Sequence, residues 1–370
     1  MDISGKQENG GSSLPPKALI IAELGTSHNG DIGKAREMIC AAAEAGADCA
    51  KFQIVITDEI LHPNTGDVAL PGGSIRLYDR FKQLEMAPDF YAELNRLCES
   101  AGILFLCTPF GLHSAQILRE LKPKMVKIAS PELNYTDLLE ETAQWGLPVL
   151  LSSGVSRLGD IEEALGFLRQ APEVTLLHCV TAYPAPESDY NLRVLKNLSG
   201  IFGLPVGVSD HSLDPELVPV LATTQGASVI EKHFCLSRSD PGLDDPIALP
   251  PGLFARMVRS VRRACEQGPA QTLAEMAEQH GRDAISSILG TGIKALAESE
   301  KMNYSRSNRS IHALRDIEAG ETITRQDFAV LRTEKVLRPG LKPSWASIVL
   351  GKKARQFIPN GEGIRLEDLL

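Results

Sequence analysis

Eight times between residues 18 and 268 the chain runs through a short apolar stretch and then a helical one, and that repeat leaves few ways to fold. The apolar stretches are ALIIAEL (18–24), CAKFQI (49–54), ILFLCTP (103–109), MVKIAS (125–130), PVLLSSG (148–154), VTLLHC (174–179), PVGVSDH (205–211) and SVIEKHF (228–234). They are apolar at consecutive positions, as strands of a parallel sheet covered on both faces must be. Eight such units predict an α/β protein of the (β/α)8 TIM-barrel class. An open doubly wound sheet is disfavoured because GTSHNG, after the first stretch, is not a dinucleotide-binding glycine fingerprint. The first helix is expected to start at Asp31 as N-cap and to stop at Gly46. The barrel is assigned to 18–268, a linker helix and extended connector to 269–308, and a compact β-rich domain, with helical turns near 324–328 and 343–350, to 309–370.

The barrel reading explains where the polar residues fall. Glu23, Lys51, Thr108, Lys127 with Ser130 and Glu132, Ser152, Tyr183, Ser209 with His211, and Glu231 with His233 all lie at or just beyond strand C-terminal ends. That rim is where barrel enzymes keep their sites. His211 and His233 end successive strands, so parallel pairing sets them side by side. With Asp210 and Glu231 as nearby carboxylates, they read as a divalent-metal site with open positions. Lys51 and Lys127, with Thr108, Ser130, Ser152 and Ser209, supply donors for a phosphate or carboxylate; either lysine could instead form a Schiff base. Glu132 is placed to move protons. Glu23, Tyr183 and Asp244 are placed to bind hydroxyls. The long segment 55–87 reads as an active-site loop.

Composition narrows the partners. A net charge of −9, with no basic run, gives no footprint for nucleic acid. No apolar run approaches membrane length. Seven cysteines without a CxxC pair read as reduced thiols of a cytoplasmic protein. Residues 1–17 are polar and Gly/Ser-rich, and read as a loose tail.

IAELGTSHNGD, AKFQ, TPF, KIASPE, LLSSG, LLHCVTAYPAP, GVSDHS and IEKHF, in this order, resemble the sialic acid synthase family, and the resemblance spans about residues 18–370. These enzymes condense phosphoenolpyruvate (PEP) with an N-acetylated amino sugar such as N-acetylmannosamine. The small domain is similar to the family's SAF (type III antifreeze-like) domain. The resemblance implies that His211 and His233 hold Mn²⁺, with Mg²⁺ or Co²⁺ as alternatives. It implies that Lys51, Thr108, Lys127, Ser130, Ser152 and Ser209 hold PEP. Glu132 would handle protons, and Glu23, Gln53, Tyr183 and Asp244 would bind the open-chain sugar. It further implies a homodimer in which one chain's SAF domain covers the other's barrel mouth and donates an arginine. Arg338, in an RPG sequence, is the first choice and Arg332 the second. Two departures concern the acceptor: the loop LPGGSIRLYDRF has no asparagine, and Thr181 stands where some members have one. The rival readings are a Schiff-base aldolase using Lys127 or Lys51 and a non-catalytic carbohydrate-binding protein.

Overall fold

The computed structural model describes residues 18–70, 73–334 and 336–370; the expected tail at 1–17 lies outside them. The barrel strands are β1 (Leu19–Gly25), β2 (Cys49–Ile54), β5 (Leu104–Pro109), β6 (Val126–Ile128), β7 (Val149–Ser152), β8 (Val174–Cys179), β9 (Val206–Asp210) and β10 (Ala227–His233). A hairpin, β3 (Asp67–Leu70) and β4 (Gly73–Arg76), interrupts their succession. The eight form one parallel sheet in the order β5-β2-β1-β10-β9-β8-β7-β6. Its end strands, β5 and β6, lie against each other and nearly close the barrel. A helix or helical turn follows each barrel strand, and β2 reaches its covering helix, Pro88–Ser100, only after the short helix Thr57–Ile60, the hairpin and the helix Leu77–Lys82. The first helix, Ile32–Glu44, starts where Asp31 accepts hydrogen bonds from the Gly33 and Lys34 N–H groups.

Side chains alternate across each strand, and the two faces do different work. Outward positions such as Ile20, Ala50, Phe105, Ile128, Leu151, Leu176, Val208 and Ile230 join the helices in the main core. Inward, Ile21, Cys49, Leu106, Leu150, Leu177 and Val229 pack together as an apolar plug. β10 reaches this phase through a bulge. Ala227 pairs with Val206 and Val229 with Gly207, which leaves Ser228 as an extra residue. Gly207 makes room for it, since a Cβ there would stand 2.5 Å from the Val229 carbonyl oxygen.

The 55–87 segment is structured: helix Thr57–Ile60, the hairpin, and helix Leu77–Lys82. After the barrel's last helix, Pro251–Gln267, two helices stand where one was expected. Pro269–His280 and Arg282–Leu289 are separated by Gly281 at φ 87°. The small domain is built on antiparallel β11 (Arg309–Ala313) and β12 (Phe328–Arg332), with a core of Ile311, Ile317, Ile323, Phe328, Val349, Ile358 and Ile364. The helical turn expected at 324–328 is a plain turn, held by the Asp327 carboxylate accepting from Thr324 N–H at 2.7 Å. The turn at 343–350 is present as Pro343–Trp345 and Ala346–Val349. All seven cysteines are free. Among the described residues no helix is long and apolar enough to cross a membrane.

Three buried histidines, His28 in the loop after β1, His178 on β8 and His312 in the small domain, make the fold acid-sensitive. Burial, with Lys294 nearby, pushes His178 down to about 3. Burial pushes His312 down to about 4, and burial with Lys34 does the same to His28. The unfolded chain binds these protons near pH 6.5 and the folded chain does not until pH 3–4. Stability is therefore present above about pH 6.5 and falls as pH drops, by roughly 1.4 kcal/mol per unit for each histidine. Urea midpoints are expected to fall steadily between pH 7 and pH 5, and His312→Gln to flatten that slope. A slope of zero in the wild type would contradict this.

Candidate active site

Two residues above the plug, the inward positions of the same strands become polar. Ile21 is followed by Glu23, Cys49 by Lys51, Leu106 by Thr108, Leu150 by Ser152, Leu177 by Cys179 and Val229 by Glu231, and all of these are buried. On the two remaining strands Met125 is followed by Lys127, and Gly207 by Ser209. Lys51 Nζ stands 2.7 Å from Glu23 Oε2, 3.4 Å from Thr108 Oγ1 and 3.8 Å from Glu231 Oε2. Lys127 Nζ donates to Ser152 Oγ at 2.6 Å and lies 4.0 Å from Glu231 Oε1, which accepts from Ser209 Oγ at 2.8 Å. Gln53 Nε2 donates to Glu23 Oε1 at 2.7 Å. Burial works against both ammonium groups. For Lys51 the Glu23 and Glu231 carboxylates outweigh it and raise the pKa; for Lys127 burial prevails and the pKa is lowered. An arriving anion would find two cations, one held less firmly in its charged form, and several hydroxyls. Ser130 joins this wall through its Oγ, which accepts from Gly154 N–H at 2.9 Å. Position 154 must be glycine-sized, because a Cβ would stand 2.2 Å from Thr181 Oγ1.

One step higher, His211 and His233 face each other with ring centroids 5.3 Å apart. Tyr183 stacks on His211 at 4.3 Å, and Asp244 Oδ2 is 3.8 Å from His233 Nδ1. Burial raises the Asp244 carboxyl. The carboxylates expected beside the histidines are engaged elsewhere. Asp210 points outward and pairs with Lys232 Nζ at 2.6 Å, and Glu231 serves the lysine pair. Among the described residues no group of three or more His, Cys, Asp or Glu stands ready to hold a metal ion. Two imidazoles nevertheless fit one. His211 Nδ1 is tied to the Val180 carbonyl at 2.8 Å, which leaves Nε2 facing the cup. Burial and His211 hold His233 at about 3, so its lone pair is available at neutral pH. Burial opposes the charge on His211, but Cys179, 3.8 Å away, and the Val180 carbonyl raise it to about 9. A metal would displace that proton. The remaining ligands would come from water and substrate.

Glu132 closes the site from above. It ends the short turn Ser130–Glu132 after β6 and is fully buried. Its Oε1 accepts from Arg309 (Nε 3.2 Å, Nη2 3.0 Å) and from Arg332 (Nε 3.0 Å, Nη2 2.7 Å). The two arginines are cross-strand partners on β11 and β12. Like charges so placed repel, and one shared carboxylate reconciles them. Arg309 also donates to the Glu59 and Phe110 carbonyls, and Arg332 lies 5.1 Å over the Phe110 ring. His62 meets Asn360 at 3.0 Å and Lys342 meets Asp160 at 3.1 Å, so the small domain is seated on the mouth of its own chain's barrel. Arg338, the first choice for the lid arginine, is engaged within its own domain in this chain. Its Nη2 is 2.6 Å from Asp368 Oδ2 and its Nε donates to the Gly363 carbonyl, so it fastens the small domain internally. Arg332 is the one that reaches the mouth.

The residues expected of an extended connector instead bind the rim. Glu300 Oε2 accepts from Val155 N–H at 3.1 Å and Thr181 N–H at 2.9 Å. Asn303 donates to the Thr181 carbonyl, Asn308 to that of Val155 and Lys294 to that of Ser153. These are the loops after β7 and β8.

The NeuB family model matches residues 38–270, and the SAF domain model matches residues 308–370. The chain belongs to the NeuB family. The N,N'-diacetyllegionaminic acid synthase of Legionella pneumophila is 32% identical, covering 97% of this chain and 96% of that one. The pseudaminic acid synthase of Helicobacter pylori is 31% identical, covering 96% and 98%. The crystal structure of the spore coat polysaccharide biosynthesis protein SpsE of Bacillus subtilis superposes with a TM-score of 0.79 at 30% identity, covering 96% of this chain and 97% of that one.

In this NeuB-type enzyme two functional neighbours escaped sequence reasoning. Arg309 and Glu300 make their key contacts with residues more than a hundred positions away. Nothing local marks Arg309 beyond its place at the start of an apolar strand. Glu300 sits in a charged run, ESEK, that reads as solvated surface.

Proposed function

We propose that this protein condenses PEP with the open-chain aldehyde of an N-acylated amino sugar, giving a nonulosonic acid and inorganic phosphate. The observation that carries the reading is the division of the cup. On one side are two buried lysines with Thr108, Ser152, Ser209 and Ser130, a cradle for a small polyanion; on the other are two imidazoles with Asp244 and Tyr183, placed for an aldehyde and its hydroxyls. The names of the two synthases above fit the same chemistry. PEP C3 bonds to the aldehyde carbon, water adds at C2, the C2–O bond breaks and phosphate leaves. A divalent ion on His211 and His233, Mn²⁺ first among candidates, would supply Lewis-acid polarisation of the aldehyde. Lys51 and Lys127 hold the phosphate and carboxylate charge. Glu23, Gln53, Tyr183 and Asp244 orient the sugar. Glu132 Oε2, a buried oxygen without a hydrogen-bond partner, is the acceptor for the proton of the attacking water.

PEP carrying ¹⁸O in the bridging position tests the bond that breaks. The label is expected in released phosphate when Mn²⁺ and a panel of acetamido-sugar acceptors are supplied. Label in the sugar-acid product would overturn the mechanism, and no phosphate release with any acceptor would overturn the function.

The proposal includes a homodimer with exchanged lids, as the resemblance implies. An exchanged copy would present the same Arg309 and Arg332 to the same Glu132. Mixing a His233→Ala chain with an Arg332→Ala chain is expected to restore part of the activity, because one hybrid site is then intact. No recovery in isolated mixed dimers confines each lid to its own chain.

A further inference from the structure

We propose that the buried Lys232–Asp210 pair is a positioning device for the two histidines, a role that rests on the metal reading above. The two pairs interleave along the sequence. Asp210 precedes His211 at the end of β9, and Lys232 precedes His233 at the end of β10. Strand alternation turns the histidines into the cup and the charged residues outward, into the layer between sheet and helices. Lys232 and Asp210 are each 1% exposed and stand opposite each other in the β9–β10 ladder.

The ammonium bonds tie the end of β10 to the end of β9 and to the turn that follows it. Lys232 Nζ is 2.6 Å from Asp210 Oδ2, 2.5 Å from the Ser212 carbonyl, 3.1 Å from Ser212 Oγ and 3.3 Å from the Asp214 carbonyl. Asp210 Oδ1 accepts from Ser212 N–H at 2.8 Å, and the Tyr190 hydroxyl accepts from His211 N–H at 2.6 Å. His211 is thus gripped on both sides in the chain while its own ring remains free at Nε2. Lys232 holds the adjoining turn, so the separation of the two imidazoles is set by an ion pair that never meets solvent or substrate. Burying such a pair is no route to stability by itself. Here it fixes geometry, in the way that partners behind metal ligands do elsewhere, where their loss typically weakens metal binding by about 10–100-fold.

The test is Mn²⁺ binding to the full-length protein without substrates, followed by the electron paramagnetic resonance signal of free and bound ion. Lys232→Met is expected to raise the dissociation constant for Mn²⁺ at least about tenfold and to change the bound-ion spectrum. PEP affinity, measured without metal, should stay within about twofold, because Lys51 and Lys127 are untouched. If Lys232→Met does not fold, the double variant Asp210→Asn/Lys232→Met removes the pair without leaving a lone charge and is read the same way. Arg262→Met is the control. It breaks the ion pair with Asp48 behind the barrel floor, and should lower thermal stability while leaving Mn²⁺ affinity unchanged. Unchanged Mn²⁺ binding in a folded pair variant, with only the melting temperature lowered, would overturn the positioning role. A wild-type protein that binds no Mn²⁺ would overturn the metal reading itself.

Discussion

Replacing His233 by alanine is expected to lower turnover by roughly 10³-fold and to abolish Mn²⁺ binding at the site. Among the described residues two imidazoles face the cup, and a carboxylate, on Asp244, stands 3.8 Å from one of them. With a single imidazole left, the ion loses half of its side-chain ligands. Lewis-acid polarisation is worth several kcal/mol of barrier, and each 1.36 kcal/mol is a factor of ten. His233 is the cleaner of the two positions. Its ring is held by no backbone group in the way that Val180 holds His211, so its loss disturbs less. His211→Ala should have the same effect on turnover and also release the ring of Tyr183, which stacks on it. Steady-state rates with and without chelator, with metal content per chain, check the result. Full activity of either variant in metal-stripped buffer would end the metal reading.

Glu132→Ala is expected to have an effect of similar size by a different route. The substitution leaves Arg309, fully buried, facing Arg332 across the β11–β12 ladder with no anion between them. Breaking a buried pair by removing one partner costs about 3–5 kcal/mol. The barrel need not unfold to escape that cost, since the small domain can lift from its seat and hydrate both guanidinium groups. The variant should therefore keep its Mn²⁺ affinity, become cleavable by protease in the connector, expand in small-angle scattering, and lose nearly all synthesis. Water would then reach bound PEP without the sugar. Glu132→Gln, which keeps the shape and one acceptor oxygen, should lift less while losing as much synthesis if the carboxylate handles the proton. A Glu132→Ala protein as compact and as protease-resistant as the wild type would show that the seat is held by other contacts.

The parts of the site that could be read from the sequence are those that obey the barrel's own geometry. Glu23, Lys51, Thr108, Ser152 and Glu231 stand two positions above apolar plug residues, so strand ends and alternation locate them together. Asp210 was misplaced for the same reason inverted. Adjacency in the chain to His211 suggested proximity, but adjacent strand residues face opposite sides, and Asp210 faces Lys232. Arg338 sat in the more recognisable short motif, yet the register of β11 against β12 brings Arg332 to Glu132 and leaves Arg338 beside Asp368. The connector read as free chain because it is polar. Its polar side chains are spent on backbone groups of the rim, and such bonds leave no pattern in the residues they bind.

The bulge at Ser228 sits at the opposite end of β10 from the chemistry, yet it sets the strand's handed phase. Below it Ala227 belongs to the outer layer, and above it Val229, Glu231 and His233 turn inward. Flattening that bulge, so that Ser228 paired with Gly207 while the lower strand stayed in place, would keep every side chain of the site in the molecule and turn those on this strand inside out. Ile230 and Lys232 would face the cup, and His233 would lie under a helix. Losing Ser228 altogether would leave Ala227 and Val229 in the register they already hold, so what the site depends on is that the extra residue stays outside the ladder. A one-residue slip of the strand above it displaces His233, Glu231 and Lys232 in a single event.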